Sequence, residues 1–291
     1  MFLIRKIWSV LTLPLLLITL LTSPVAQSTE TAELISKNVF VFEKALLMGQ
    51  GIATDGEYYY TSGSISALNL TALAKFTFDD MEMVDSNVNP LPDSCEDRGN
   101  NHIGGISVYN GKIYASVEDG DDYLYPCIVL FDCEILEPTG EIYDLPREIF
   151  DDGVPWCAVD GETGYLYASK WTDIEKIYVY DTNNKMSFIK EIDLCGMEKI
   201  HRIQGGEFWN GTLYLSEDIE DNGNFKNILS VDVASGETKL AFIRDAGGDN
   251  IEAEGLTFCP ADDGSVMHVL DYNKVIGIFA HHYDVDFAEA K

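Results

Sequence analysis

Two histidines and a scatter of carboxylates are the side chains in this sequence with types and spacing suited to chemistry. His102 and His201 each stand just ahead of an apolar run, in NNHIGG and KIHRIQGG. An imidazole so placed is a candidate general base, because it exchanges a proton near neutral pH. Glu118 and Glu217 follow the Tyr-rich runs of the same two segments and are candidate catalytic carboxylates. A pair of such groups can divide acid and base work between them. Glu252 and Glu254 in EAEGL, with Asp271 and Asn273 in LDYN, carry the oxygen donors that a hard cation such as Ca²⁺ takes. Trp156, Lys170, Trp171 and Gln204 are candidates for ligand contact. The indole faces suit a sugar or a protein surface, and Lys170, like Arg202, can hold an anion or offset local negative charge. Each group also has a plain alternative as a polar loop residue or as a histidine bonded to a loop carbonyl.

What would bring these residues together is a repeat. A short apolar strand, a tight turn and a second strand rich in Tyr and small residues begin at Gly51, Gly105, Cys157, Gly206 and Gly255. Asn-Gly or Asp-Gly between alternating apolar runs is a strong hairpin signal, because type I′ turns need positive φ at both central residues. A third strand follows each hairpin: LAKFTF, IVLFD, KIYVYD, NILSVDV and VIGIFA. Fourth strands are clear in EPTGEIYDLP, TNNKMSFIKEIDL and ASGETKLAFI. Aligning Tyr59, Tyr114, Tyr167, Tyr214 and Met267 gives a period of roughly 50 residues, the spacing of four-stranded propeller blades. The reading is an all-β, five-bladed β-propeller, with six blades as the alternative. The last repeat lacks a fourth strand, and NVFVFEKALL (Asn38 to Leu47) is read as the strand that completes it and closes the ring.

In such a ring the residues before each first strand and after each second strand share one face of the disc. Gln50, His102, Trp156, His201, Gln204, Glu252 and Glu254 precede first strands. Glu118, Asp119, Lys170, Trp171, Glu217, Asp218, Asp271 and Asn273 follow second strands. Convergence of chain-distant groups on one mouth is the arrangement expected of a ligand site. Asp218 to Asn224 has oxygen-bearing residues at alternate positions, but Leu229 stands where a calcium loop would close with Glu, so it reads as a solvated loop.

At Glu254-Gly255 the chain resembles the calcium-dependent six-bladed propeller hydrolases, gluconolactonase-like and paraoxonase-like, and the esterase-like phytases. The likeness rests on that channel-facing Glu-Gly pair and the blade pattern. It implies a central Ca²⁺ and hydrolysis of an ester or lactone. The repeat count here is five, and the other metal ligands of that superfamily have no one-to-one match.

The flanks and composition complete the reading. Arg5 and Lys6, an apolar run from Ile7 to Leu21 and small residues up to Ser28 read as an export leader. The domain division is a leader over 1–26, a linker over 27–37, the propeller over 38–287 and a tail over 288–291. A net charge of −30 speaks against nucleic acid and anionic membrane as partners. Six cysteines in an exported chain permit disulfides. Cys95–Cys127 is the expected bond, Cys157–Cys195 a second, with Cys133 and Cys259 free. GxSxG, HExxH, P-loop and GxGxxG motifs are absent. The functions left open are a secreted calcium-dependent hydrolase, a propeller that binds a small molecule, carbohydrate or protein without catalysis, and a glycosidase working through two of Glu118, Glu217, Glu254 and Asp271.

Overall fold

A computed structural model describes residues 30–41, 45–219, 224–248 and 250–285. The expected leader lies outside the described residues, as do the 288–291 tail and most of the Asp218 to Asn224 loop.

The described residues form five sheets, each built on four antiparallel strands. The chain opens with β1 (Glu30–Thr31), β2 (Glu33–Val41) and the helical turn α1 (Ala45–Met48). Blade one is β3 (Ile52–Thr54), β4 (Tyr58–Ile65), β5 (Leu70–Thr77) and β6 (Met83–Val88). The turn α2 (Asp93–Glu96) leads to blade two: β7 (His102–Tyr109), β8 (Lys112–Glu118), β9 (Cys127–Asp132) and β10 (Pro138–Asp144). Blade three is β11 (Trp156–Val159), β12 (Tyr165–Ser169), β13 (Lys176–Asp181) and β14 (Ser187–Asp193). Blade four is β15 (Ile203–Trp209), β16 (Thr212–Glu217), β17 (Phe225–Val231) and β18 (Thr238–Asp245). Blade five is β19 (Ile251–Phe258), β20 (Met267–Asn273), β21 (Gly277–Asp284) and, from the other end of the chain, β2. The fold is the five-bladed propeller that the repeat predicts.

Two of the hairpins form for the expected reason, while the Asp-Gly turns at Asp55, Asp160 and Asp263 lack positive φ at the Asp. Asn110-Gly111 and Asn210-Gly211 have positive φ at both positions, as a type I′ turn demands. Tyr59, Tyr114, Tyr167, Tyr214 and Met267 all fall on second strands and are all buried. They take part in apolar clusters that lie between blades. One cluster joins Tyr114 of blade two to Leu166 of blade three, and another joins Tyr214 of blade four to Val269 of blade five. Burying a large apolar side chain of this kind contributes about 1.5–3 kcal/mol, so the core is a set of blade-to-blade seams.

Ring closure differs from the sequence reading in its limits. β2 pairs antiparallel with β21 from Glu33 opposite Asp284 to Val41 opposite Gly277. The strand therefore begins before Asn38, and residues 30–37, expected as linker, are largely strand. β21 runs on to Asp284, past the Ala280 at which the sequence reading stopped, and its length extends the ladder. Ala45 to Met48 leave the strand as a helical turn, in keeping with the helix preference of Ala, Leu and Met. β1 adds alongside β18, with Glu30 opposite Phe242.

The first strands crowd the axis. A Cβ on Gly255 would lie 2.6 Å from the backbone nitrogen of Ile52, and one on Gly205 would lie 2.7 Å from the Gly255 Cα. The first strands of blades two, four and five also shift register beside these glycines, between Ile103 and Ile106, Ile203 and Gly205, and Ala253 and Leu256. Such bulges re-aim the side chains next to them. The axis is thus narrow at the glycines, and the residues before them line a mouth above it.

Candidate functional site

A cavity of about 230 Å³ opens at that mouth. His102, Glu118, Trp171, Gln204 and Glu252, all expected on this face, line it together with Gln50. Ser66, Gly120, Tyr123, Asp152 and Pro155 complete the wall.

His102 opens β7 and Glu118 closes β8, and the two are direct partners in the antiparallel ladder. Glu118 Oε1 lies 3.6 Å from His102 Nδ1. The other Glu118 oxygen accepts the Val154 backbone N–H, which clamps the carboxylate under the loop before blade three. His102 Nε2 lies 3.1 Å from Gln50 Oε1. The 3.6 Å between Glu118 and Nδ1 is beyond hydrogen-bond range and Nδ1 is buried without a hydrogen-bond partner, so Glu118 favours hydrogen on Nδ1 through its charge alone. As placed, Gln50 Oε1 accepts from Nε2, and only with the Gln50 amide turned does its N–H meet an Nε2 lone pair at the cavity wall. The ring thus has a carboxylate near one nitrogen and the cavity wall at the other.

The opposite wall is a charged ladder. Arg202 Nη2 lies 2.6 Å from Asp218 Oδ2 and 3.3 Å from Glu252 Oε1, and Gln204 Nε2 donates to the same Glu252 oxygen at 3.3 Å. The Arg202 guanidinium also sits 4.8 Å from the Trp171 ring centroid. Asp152 accepts the backbone N–H of Trp171 at 3.0 Å and of Thr172 at 2.9 Å, fixing the loop that presents the indole. Trp171 Nε1 is buried without a hydrogen-bond partner. Burial first, and then Glu118 and Asp152, push the Tyr123 phenol up.

Glu254 has 1% of its surface exposed and neither carboxyl oxygen has a partner. Burial, reinforced by Glu252, Asp218 and Asp271, raises its pKa well above the ordinary carboxylic range. Its surroundings favour the neutral acid over the carboxylate.

The other expected site residues lie elsewhere. His201 and Glu217 border a separate shallow cleft with Arg202 and Asn227. Glu217 Oε2 accepts from Asn227 Nδ2 at 2.9 Å, and burial raises its pKa. Trp156 is wholly buried on β11, with its indole N–H on Ser169 Oγ at 3.0 Å. A Cβ on Gly206 would come within 2.5 Å of its ring, so Trp156 packs as a wedge between blades. Lys170 points to Asp151, 3.2 Å away, in an outer cleft.

The four residues expected to hold Ca²⁺ do not form one shell. Both Asp271 oxygens accept from the buried Arg244 guanidinium at 2.7 and 2.8 Å, and His281 Nδ1 lies 2.6 Å from Oδ2. Asn273 Oδ1 accepts the N–H groups of Val275 and Ile276. Glu252 is paired with Arg202 and Lys274. Only Glu254 has oxygens free, against the six to eight that calcium takes. Among the described residues no three His, Cys, Asp or Glu side chains converge to ligate one ion. Asp218, read as part of a solvated loop, is instead buried between Arg202 and Lys226, with Lys226 Nζ at 2.6 Å.

Five members of the mouth, Ser66, Gly120, Tyr123, Asp152 and Pro155, were not singled out from the sequence. Asp152 precedes the first strand of blade three, the same position that drew attention to His102 and Gln204, and that rule applied to DDGVPW would have found it. Tyr123 comes from the β8–β9 loop, which carries no local signal.

The cysteine map changes too. All six thiols are free. Cys157 is on the innermost strand of blade three, its thiol 3.4 Å from the Tyr114 carbonyl, while Cys195 follows the outermost strand. Three strand spacings, roughly 14 Å, separate those positions, beyond the reach of a disulfide. Cys95 and Cys127 do meet, around one guanidinium nitrogen of Arg98 at 3.8 and 3.6 Å.

No family model and no curated protein sequence matches this chain. Solved structures do. The glutaminyl cyclase of Myxococcus xanthus aligns with a TM-score of 0.58 at 12% identity, over 89% of this chain and 99% of that one. A GH43_1 enzyme from Xanthomonas citri, complexed with xylose, aligns at 0.52 and 12% identity, over 90% and 91%. A bifunctional GH43-CE protein of Bacteroides eggerthii aligns at 0.56 and 13% identity, over 90% of this chain and 35% of that one. At these identities the likeness is one of fold, and the chain shares its propeller architecture with enzymes of at least two kinds.

Proposed function

We propose that this is an exported hydrolase acting on a small polar substrate, of the ester or lactone kind, in the axial mouth. His102 is the general base. Glu118 orients it and stabilises the imidazolium that forms when Nε2 takes a proton from water. Gln50 and Gln204 hold polar groups of the substrate, and the Trp171 indole covers its apolar side. The observation that carries the reading is the approach of a clamped carboxylate to His102 Nδ1, with the other ring nitrogen beside Gln50 at the cavity wall. Calcium has no part in the steps, since the expected ligands do not fit a shell.

Turnover of p-nitrophenyl acetate and of simple lactones by the purified protein, beside His102→Asn, tests the reading. Loss of a positioned base lowers the rate by about 10²–10⁴-fold. A variant with unchanged turnover would rule His102 out as the base.

A second reading is carbohydrate binding or cleavage. Glu118 and Glu252 border one cavity with an indole beside them, which suits a sugar ring and paired carboxylates. Sugar-dependent thermal shifts abolished by Trp171→Ala, without ester turnover, would favour it.

A further inference from the structure

A second cavity, of about 240 Å³, opens on the turn face of the disc, where blade five meets blade one. We propose that it binds an organic cation bearing N–H donors, an amine or guanidinium group. The argument begins with two histidines. His268 on β20 and His282 on β21 are opposite one another in the ladder, Nδ1 to Nδ1 at 2.8 Å. His268 Nε2 lies 2.7 Å from the Cys259 carbonyl oxygen. A carbonyl only accepts, so His268 carries its hydrogen on Nε2 and offers a lone pair at Nδ1. His282 must therefore donate from Nδ1. Its Nε2 is left as a lone pair with no partner among the described residues, on a side chain only 7% exposed that borders the cavity. Burial, followed by the neighbouring His268, pushes the His282 pKa down to about 4, which keeps the ring neutral and the lone pair available.

The rest of the lining agrees with that polarity. Asp79, Asp262 and Asp263 stand around the cavity, and no Lys or Arg borders it among the described residues. Asp263 is held in place by Ser265 Oγ at 2.6 Å and Ser36 Oγ at 3.0 Å. Hydrogen bonds from Ser265 keep its carboxyl below the usual range. Tyr59 and Phe78, stacked with centroids 4.6 Å apart, supply aromatic surface that also attracts cations. Carboxylates and an imidazole lone pair are acceptors, so the fitting ligand is positive and donates. One imidazole without two further close ligands does not make a metal centre. The site is independent of the mouth.

The test is a titration of the ¹⁵N-labelled protein with agmatine, read at the His282 side-chain nitrogens. Agmatine is expected to move the Nε2 resonance saturably, and tetramethylammonium at equal ionic strength, which has no N–H, is not. Asp263→Asn and the rim variant Asp79→Asn are each expected to weaken binding, Asp263→Asn by about tenfold, equivalent to about 1.4 kcal/mol. His102→Asn is expected to leave it unchanged, which separates this site from the mouth. No saturable shift with agmatine up to about 10 mM, or an equal shift with tetramethylammonium, would overturn the proposal. So would a response to Zn²⁺ in place of agmatine.

Discussion

Glu118 touches two things at once: its Oε1 lies 3.6 Å from His102 Nδ1, and its Oε2 accepts the Val154 backbone N–H. The carboxylate is therefore both the orienter of the histidine and an anchor for the loop entering blade three. The two roles separate by substitution. Glu118→Ala leaves a buried N–H without an acceptor and is expected to cost about 1–3 kcal/mol in urea unfolding. Glu118→Gln keeps an acceptor for Val154, so its unfolding midpoint stays close to that of the parent. It loses the charge that stabilises imidazolium, and turnover falls. Equal destabilisation by both variants would deny the anchor role as drawn.

Glu254 makes stability depend on pH. Its folded-state pKa is raised above the unfolded value, so the folded form holds a proton that the unfolded form releases. The stability associated with that proton is fully present below the ordinary Glu range, near 4.5, and is lost as pH rises through the folded value. Glu254→Gln keeps the shape without the titration. Urea unfolding at pH 5 and pH 8 should show the parent losing stability relative to Glu254→Gln as pH rises. A constant difference between them would mean that Glu254 is ionised in the folded protein.

The narrow axis predicts a sharp response to one methyl group. In Gly255→Ala the new carbon meets backbone atoms of Gly51 and Ile52 at 2.9 and 2.6 Å, and neither is the end of a flexible side chain. Overpacking of this kind costs about 1–3 kcal/mol. Thermal melting should fall accordingly. Gly111→Ala, where a Cβ would find open space, should lose only what its φ of 71° demands. An unshifted melt for Gly255→Ala would show that the first strands are free to part.

Cys95 and Cys127 are placed to bond when oxidised. Both are buried and share Arg98, and Cys127 together with that guanidinium lowers the Cys95 pKa. A bond there would tie the loop before His102 to the third strand of blade two and is expected to add about 3–4 kcal/mol. Peptide mass mapping of air-oxidised protein without reductant should find Cys95 joined to Cys127, with a melting point lowered by reductant. Free alkylation of both thiols in the native, oxidised protein would show that they never pair.

How much was legible in advance follows from what kind of signal each feature carries. Tyr114 and Tyr167 were assigned to second strands correctly because alternation and glycine-containing turns are local. The ladder partnership of His102 and Glu118 follows from the same hairpin arithmetic. β6 was missed because five of its six residues are exposed, so it has no buried face to mark it. The start of β2 was missed because its length is set by a partner strand at the far end of the chain.

By itself the sequence determined the blade repeat and the face on which His102, Glu118, Gln204 and Glu252 gather, since each depends on spacing along one hairpin, and it left a count of five against six to the structure. Only the tertiary structure decided which of those side chains are available. Trp156 disappears beneath Gly206, Asp271 is taken by Arg244, and His282 is left with an open nitrogen. Those outcomes depend on contacts between blades or across whole sheets, where packing and charge pairing join residues that no local pattern connects.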